Sequence, residues 1–288
     1  MTRHLGSLVA RGNTSDVYRW GADAVVKALR PGIPEEWAGR EAQTTALVNA
    51  AGLPAPKVLD VTTIDGRAGI ILERVDGDSM WERMVTHPGE IPQLARLLAE
   101  LQAEVNVTPV PSGLPRLVDR LRENIDNATI LSTDERAAAS SGLDRHGEGH
   151  ALCHFDVHPN NVLMGPTRPI IIDWFDAAAG SADADVVRSS LLMRRDAAAG
   201  HLPSADPSLV DHVHDEYLAA VVRTRAIRDD VLLAWEPAVV AGRLAEPVGD
   251  SIRRATHDTW LAIRASEPTR LAISLRSIRR DIGRRPVG

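Results

Sequence analysis

Two short apolar runs, residues 162–164 and 170–172, stand on either side of Gly-Pro-Thr-Arg-Pro. Gly and Pro punctuate turns, and a five-residue break between apolar runs reads as the loop of a β-hairpin. Symmetric closure puts Met164 opposite Ile170 and Val162 opposite Ile172. One further step sets Asn161 opposite Asp173, with Cβ atoms about 4.5–5.5 Å apart. An amide oxygen and a carboxylate then converge at the open end of the hairpin. An oxygen-only pair suits Mg²⁺, which takes one or two protein ligands and completes its shell with water and phosphate oxygens. Asp156 lies just upstream, in a Pro-containing loop that faces the same end.

The histidines of this segment admit two other readings. His154, Asp156 and His158 spell His-x-Asp-x-His, a pattern that a hydrolytic zinc site can use. No further His or Cys cluster in the sequence stands ready to complete such a site. The favoured reading makes both histidines loop residues that hydrogen-bond the backbone. Cys153 reads as a small core residue.

Taken together, His154-Phe155-Asp156, Asn161 and Ile172-Asp173-Trp174 resemble the catalytic segment of the aminoglycoside phosphotransferase family, which shares the protein-kinase-like fold. The family pattern is His-x-Asp-x-x-x-x-Asn, a hairpin, then Ile-Asp-Trp or similar, so three spacings and a hairpin must agree at once. The resemblance implies that Asp156 is the catalytic carboxylate and that Asn161 and Asp173 hold Mg²⁺. It also implies that His154 supports the catalytic loop. One departure is Phe155, where the family usually has Gly. Another is Gly180-Ser181-Ala182-Asp183-Ala184-Asp185, which keeps only Gly180 and Asp185 of a Gly-Asp-Pro-x-x-Asp pattern. Neither removes a group that phosphoryl transfer needs.

The N-terminal part reads as strands. Residues 8–11 lead into the polar turn Gly12-Asn13-Thr14-Ser15-Asp16, then residues 17–20 and 24–29 follow. That turn can cradle phosphates through backbone N–H groups and the Thr14 and Ser15 hydroxyls. It resembles the family's nucleotide-positioning loop, but it is no Walker A loop, since Gly-Lys-Ser/Thr is absent. The chain uses 31 Arg and two Lys. Lys27 on the third strand therefore runs against the composition, and a compact ammonium meets a phosphate oxygen as a point charge. Lys57 reads as a chance lysine.

Pro34 opens a helix that Gly52-Leu53-Pro54 closes. Trp37, Glu41, Thr44 and Val48 share one of its faces. A carboxylate within an apolar stripe needs a partner if buried, and Lys27 is the obvious one. The pair matches the Lys–Glu pair with which kinases hold phosphates. Residues 57–63 and 68–75, around the Asp65-Gly66 turn, complete a five-stranded sheet. By resemblance, the hinge follows, where the C=O of Glu73 and the N–H of Val75 face adenine.

Helical periodicity dominates after residue 78. Helices are expected over 91–105, 114–130, 134–143, 184–196, 209–225, 229–244, 249–265 and 269–282. Trp235 and Trp260 read as core residues, with a secondary role as acceptor contacts. The basic stretch 270–285 reads as a solvated helix face.

At 288 residues the chain can bury a large core. A single cysteine excludes an internal disulfide. No apolar run approaches the ~20 residues of a membrane span, and residues 1–16 lack a signal-peptide core. The expectation is a soluble, cytoplasmic protein. A net charge of −6 argues against nucleic acid as a partner.

The expected fold is α+β and bilobal, protein-kinase-like. A small lobe over 1–75 carries a five-stranded antiparallel sheet and one helix, and a mostly helical lobe spans 76–288. The expected activity is Mg-ATP-dependent phosphorylation of a hydroxyl on a small-molecule acceptor, possible acceptors including aminoglycoside-type antibiotics. The alternatives are a metabolic sugar or amino-alcohol kinase, a nucleotide-binding module without turnover, and a zinc hydrolase. The sequence is silent on oligomeric state and on the choice between ATP and GTP.

Overall fold

The structure, a computed structural model, describes residues 5–146, 149–198 and 206–284. Five antiparallel strands form the first layer: β1 (Leu8–Arg11), β2 (Ser15–Arg19), β3 (Ala24–Leu29), β4 (Val58–Ile64) and β5 (Arg67–Glu73). Their spatial order is β1-β2-β3-β5-β4, so β3 lies at the centre, and Val26, Ala28 and Leu29 on it are buried. The β4–β5 turn places Asp65 and Gly66 at φ 49° and 72°. Two consecutive positive φ values give the two-residue turn whose twist matches the flanking strands. Ser15 and Asp16, expected in the first turn, belong instead to β2, where Ser15 pairs with Leu29.

Helix α1 (Glu36–Ala50) packs Ala38, Ala42 and Val48 inward. It ends as its glycine predicts. Gly52 takes φ 88°, its N–H bonds Asn49 C=O at 3.0 Å, and Leu53 N–H bonds Val48 C=O at 3.3 Å. These two bonds satisfy carbonyls that a helix end leaves open.

The remainder is mostly helical: α2 (Met80–Thr86), α3 (Ile91–Val107), α4 (Leu117–Asn127), α5 (Thr133–His146), then α6 (Ala182–Ala198), α7 (Pro207–Thr224), α8 (Asp229–Arg243), α9 (Asp250–Arg264) and α10 (Arg270–Arg284). Residue 285 of the basic stretch lies outside the described residues. One large apolar cluster runs through these helices, with Leu98, Ile125, Tyr217 and Val239 fully buried. Trp235 and Trp260 belong to it as well, which leaves them no surface for an acceptor. Short α2 has a sequence signal of its own, Ser79-x-x-Glu82. Ser79 Oγ accepts from Glu82 N–H at 3.1 Å, and the Glu82 carboxylate accepts from Ser79 N–H at 2.8 Å, a reciprocal cap.

Helix α4 starts three residues later than the periodicity suggests. Pro115 C=O accepts from Ala179 N–H at 2.8 Å, so the chain before α4 is spent as an extended partner of β9 (Ala178–Gly180). The same strand pairs with β6 (Ala151–Cys153). β6 leads directly into the segment of highest chemical interest.

The hairpin itself, β7 (Val162–Leu163) and β8 (Ile170–Ile171), corrects the expected register. Val162 pairs with Ile171 and Leu163 with Ile170. The loop therefore holds six residues, and Asn161 lies opposite Ile172, whose N–H bonds its C=O at 2.9 Å. The cause is a distant partner. Met164 N–H bonds Asp78 C=O at 2.8 Å, which draws Met164 out of the hairpin toward the chain that follows β5. Gly77 permits that approach. It adopts φ 150°, and a Cβ there would sit 2.2 Å from Met164 O.

Candidate active site

Three elements bring the site together. β3 supplies Lys27, α1 supplies Glu41, and the segment from β6 through β8 supplies the rest. Lys27 Nζ donates to Glu41 Oε1 at 2.6 Å and lies 2.9 Å from Asp173 Oδ1. Both Lys27 and Glu41 are buried. Burial by itself pulls the Lys27 ammonium down, but Asp173 and Glu41 outweigh it and hold the group above the ordinary lysine value. Burial pushes the Glu41 carboxyl up, and the Lys27 charge opposes that shift. The ammonium is therefore a fixed charge at the cleft.

The backbone conformation of Asp173 directs its carboxylate at Lys27. It takes φ 65° and ψ 62°, a left-handed conformation that Asp tolerates better than most residues. The chain turns sharply there into the single helical turn Trp174–Asp176. Trp174 anchors the turn, fully buried, with its indole N–H bonded to Ile171 C=O at 2.8 Å. The Asp173 side chain keeps 38% exposure, so an oxygen of it remains open to solvent.

Asn161 and Asp156 are joined directly. Asn161 Nδ2 donates to Asp156 Oδ2 at 2.7 Å and to Asp156 C=O at 2.9 Å. With the amide nitrogen spent on Asp156, the amide oxygen of Asn161 is the atom left for a metal. Burial drives the Asp156 carboxyl far up, and the Asp173 charge adds to the rise. Arg188 and Arg243 act in the opposite sense. An amide oxygen and a carboxylate oxygen make a hard, oxygen-only donor set, which fits Mg²⁺.

His154 is fully buried and both of its ring nitrogens are engaged. Nδ1 accepts from Asp156 N–H at 3.1 Å. Nε2 then carries the proton and donates to Ile172 C=O at 3.1 Å. The ring thus ties the Asp156 loop to the end of β8, and it packs on Trp174 with centroids 4.4 Å apart. Zinc ligation through His154 would break one of these bonds. His158 Nε2 lies 3.9 Å from Asp156 Oδ2.

The remaining candidates lie around this centre. Val17 pairs with Lys27 and Ser15 with Leu29. Directly opposed residues share a face, so Ser15 lies on the Lys27 face of the sheet, though its side chain is buried. Thr14 stands in the turn before it, with its C=O bonded to Arg30 N–H at 2.8 Å. Glu73 ends β5, and Val75 follows on the connection that Asp78 ties to Met164. The structure brings together Lys27, Glu41 and Asp173 as one group, and Asp156 and Asn161 as another.

Sequence reasoning missed three cationic side chains, of which Arg188 and Arg243 act on Asp156. Arg120 pairs with Asp176 and donates to Phe175 C=O at 3.4 Å. Arg188 Nη2 and Arg243 Nη1 both donate to Glu246 Oε2, at 2.8 and 2.7 Å. These residues sit within helices or their connections, where periodicity marks burial but no local signal distinguishes one Arg among 31.

Comparison with known proteins agrees with this geometry. Residues 6–220 match the model of the phosphotransferase enzyme family, APH. An aminoglycoside 3'-phosphotransferase of Streptomyces fradiae is 29% identical over 157 residues, covering 48% of this chain and 58% of that protein. The match thus spans less than two thirds of that relative's length. The crystal structure of a thermostable mutant of aminoglycoside phosphotransferase APH(4)-Ia superposes with a TM-score of 0.60 at 16% identity, covering 98% of this chain and 96% of that one. A choline/ethanolamine kinase family protein from Mesorhizobium loti gives 0.56 at 19% identity, with 95% and 92% covered. At those identities the two structures speak for the fold alone, which is protein-kinase-like. The family match covers most of the chain, from β1 into α7, and includes every residue of both groups: the chain belongs to the phosphotransferase enzyme family.

Proposed function

We propose that the chain is a Mg-ATP-dependent phosphotransferase acting on a hydroxyl of a small molecule. The observation that carries this reading is the meeting of Lys27 with Glu41 and Asp173 beside the Asp156–Asn161 pair. Such an arrangement places a fixed cation, an oxygen donor set and a half-buried carboxylate in one cleft. Supporting it, an APH(4)-Ia structure of the same fold was determined as a ternary complex with AMP-PNP and hygromycin B.

In this reading residues 1–75 form the nucleotide lobe and 76–288 the acceptor lobe. Lys27, oriented by Glu41, neutralises phosphate charge. Thr14 and Ser15 border the phosphates, and backbone groups of Glu73 and Val75 meet the base. Asn161 Oδ1 and Asp173 hold Mg²⁺, which supplies charge neutralisation on the phosphates when bound. Asp156 orients the acceptor hydroxyl and takes its proton, while Asn161 and His154 fix the direction in which its carboxylate points. There is little covalent chemistry for the protein to do, so the rate comes from positioning and charge stabilisation. No described helix is long and apolar enough to cross a membrane, and a cytoplasmic site of action would supply ATP.

The deciding experiment incubates the protein with Mg-ATP and a panel of sugars, amino alcohols and aminoglycosides, and looks by mass spectrometry for the gain of one phosphate. Modification of at least one hydroxyl compound is expected. Stoichiometric zinc in the purified protein, with no phosphate transfer, would overturn the reading.

A further inference from the structure

Phe155 stands between His154 and Asp156 with φ 63°. That region is open to glycine and resisted by any side chain, more so by a bulky one. Such a conformation persists only where the surroundings over-determine it. Here the determinants come from one turn of α6. The N–H of Phe155 donates to Asp185 Oδ1 at 2.7 Å. Its C=O accepts from Arg188 Nε at 3.2 Å. Residues three apart share a helix face, so Asp185 and Arg188 hold the peptide planes before and after Phe155. Fixing both planes fixes φ and ψ of the residue between them.

Arg188 contributes more than one bond. Its guanidinium lies over the Phe155 ring, 5.3 Å from the centroid, and its Nη2 reaches Glu246 on the α8–α9 connection at 2.8 Å. It is 1% exposed, and a buried charge needs this degree of pairing and hydrogen bonding. An ammonium could not donate to a carbonyl, donate to a carboxylate and cover a ring with one planar group.

We propose that Arg188 is a positioning residue for Asp156: it locks the left-handed backbone of Phe155, and Glu246 anchors it to the α8–α9 connection. Asp156 is thereby presented at a fixed angle from a loop that would otherwise relax to a negative φ. The kinetic part of this proposal rests on the phosphotransferase reading; the loop geometry does not.

The test uses four forms of the full chain besides wild type: Arg188→Met, Arg188→Lys, Phe155→Gly, and Phe155→Gly combined with Arg188→Met. Two quantities are read: hydrogen exchange at the amides of residues 154–161, and Mg-ATP turnover, with water as acceptor if no other is in hand. Arg188→Met should raise exchange in that segment roughly tenfold or more while α8 keeps its protection. Turnover should fall about tenfold to a hundredfold, as expected for a misplaced reacting group, with the Kd for Mg-ATP unchanged. Arg188→Lys keeps a cation against Glu246, so it should fold even if Arg188→Met does not, and it should lose turnover in the same sense. Glycine accepts the left-handed backbone unaided. In the Phe155→Gly background, therefore, adding Arg188→Met should cost no more than about threefold.

An equal loss in both backgrounds would show that Arg188 acts only through general stability and would overturn the proposal. So would unchanged exchange at residues 154–161 in both Arg188 variants. If wild type turns over no ATP at all, the exchange result still decides the positioning claim, and the missing turnover counts against the phosphotransferase reading instead.

Discussion

Lys27 Nζ and Asp173 Oδ1 are 2.9 Å apart, so a strand of the sheet and the residue that ends the β7–β8 hairpin meet across the cleft through one ion pair. The ion pair neutralises Lys27, and in the proposed function the second oxygen of Asp173 is a ligand for Mg²⁺.

Asp173→Ala separates those roles. In the presence of Mg²⁺ the variant should bind ATP about a hundredfold or more weakly than wild type, the scale on which metal sites respond to altered ligation. In EDTA the variant should bind ATP no more weakly than wild type, because Lys27 remains and the carboxylate that neutralises it is gone. The variant leaves buried Lys27 with one partner fewer and sets Ala in a left-handed backbone, so its melting temperature should fall and the affinities are compared where both proteins are folded. Equal affinities in Mg²⁺, measured by calorimetry, would remove Asp173 from the metal site.

Glu41→Gln tests the other arm of Lys27. The amide can still accept the hydrogen bond, but the charge that orients the ammonium is gone. Bonds to charged groups contribute about 1.5–3 kcal/mol, so kcat/KM for ATP should fall roughly tenfold to a hundredfold. A steady-state titration of ATP checks this, and an unaltered kcat/KM would sink the assignment.

Much of this architecture is legible in the sequence, and the reasons are local. β3 has the same bounds as its apolar run, and α1 ends at its Gly-Leu-Pro signal because glycine alone enters the left-handed position freely. The Lys27–Glu41 contact follows from two residues that each break their surroundings, a rare lysine and a carboxylate in an apolar stripe. The hairpin register is not legible, since Asp78 C=O captures Met164 N–H from eighty-six positions away in the chain. Nor is the Lys27–Asp173 pair, for the same reason. Arg188 is hidden differently: within a helix it reads as one more arginine until the left-handed Phe155 shows what it holds.

His214 predicts a pH dependence of stability unrelated to the cleft. Its Nε2 meets Ser190 Oγ at 2.8 Å and its Nδ1 meets Asp215 Oδ1 at 3.1 Å. This resembles a nucleophile relay, yet Ser190 and His214 are buried in the helical core, so no substrate reaches it. Burial is the main cause that lowers the His214 pKa to about 4. The unfolded chain, with His near ~6.5, binds more protons between those values. Stability should therefore be fully present above about pH 6.5 and be lost as pH falls toward about 4, by about 3 kcal/mol from this group. His214→Gln should fold and show a flatter dependence over that window in urea melts. Parallel curves for the two proteins would contradict the assignment.

The central claim is that Asp156 acts on an acceptor hydroxyl in a site where Lys27 and the metal hold the phosphates. Asp156→Asn keeps the shape and removes the proton acceptor. General-base contributions are typically about 10²–10⁴-fold. Phosphate transfer, measured as single-turnover rates at saturating Mg-ATP, should fall within about that range, while the Kd for Mg-ATP stays at its wild-type value. Transfer at the wild-type rate by the Asn variant would contradict the account.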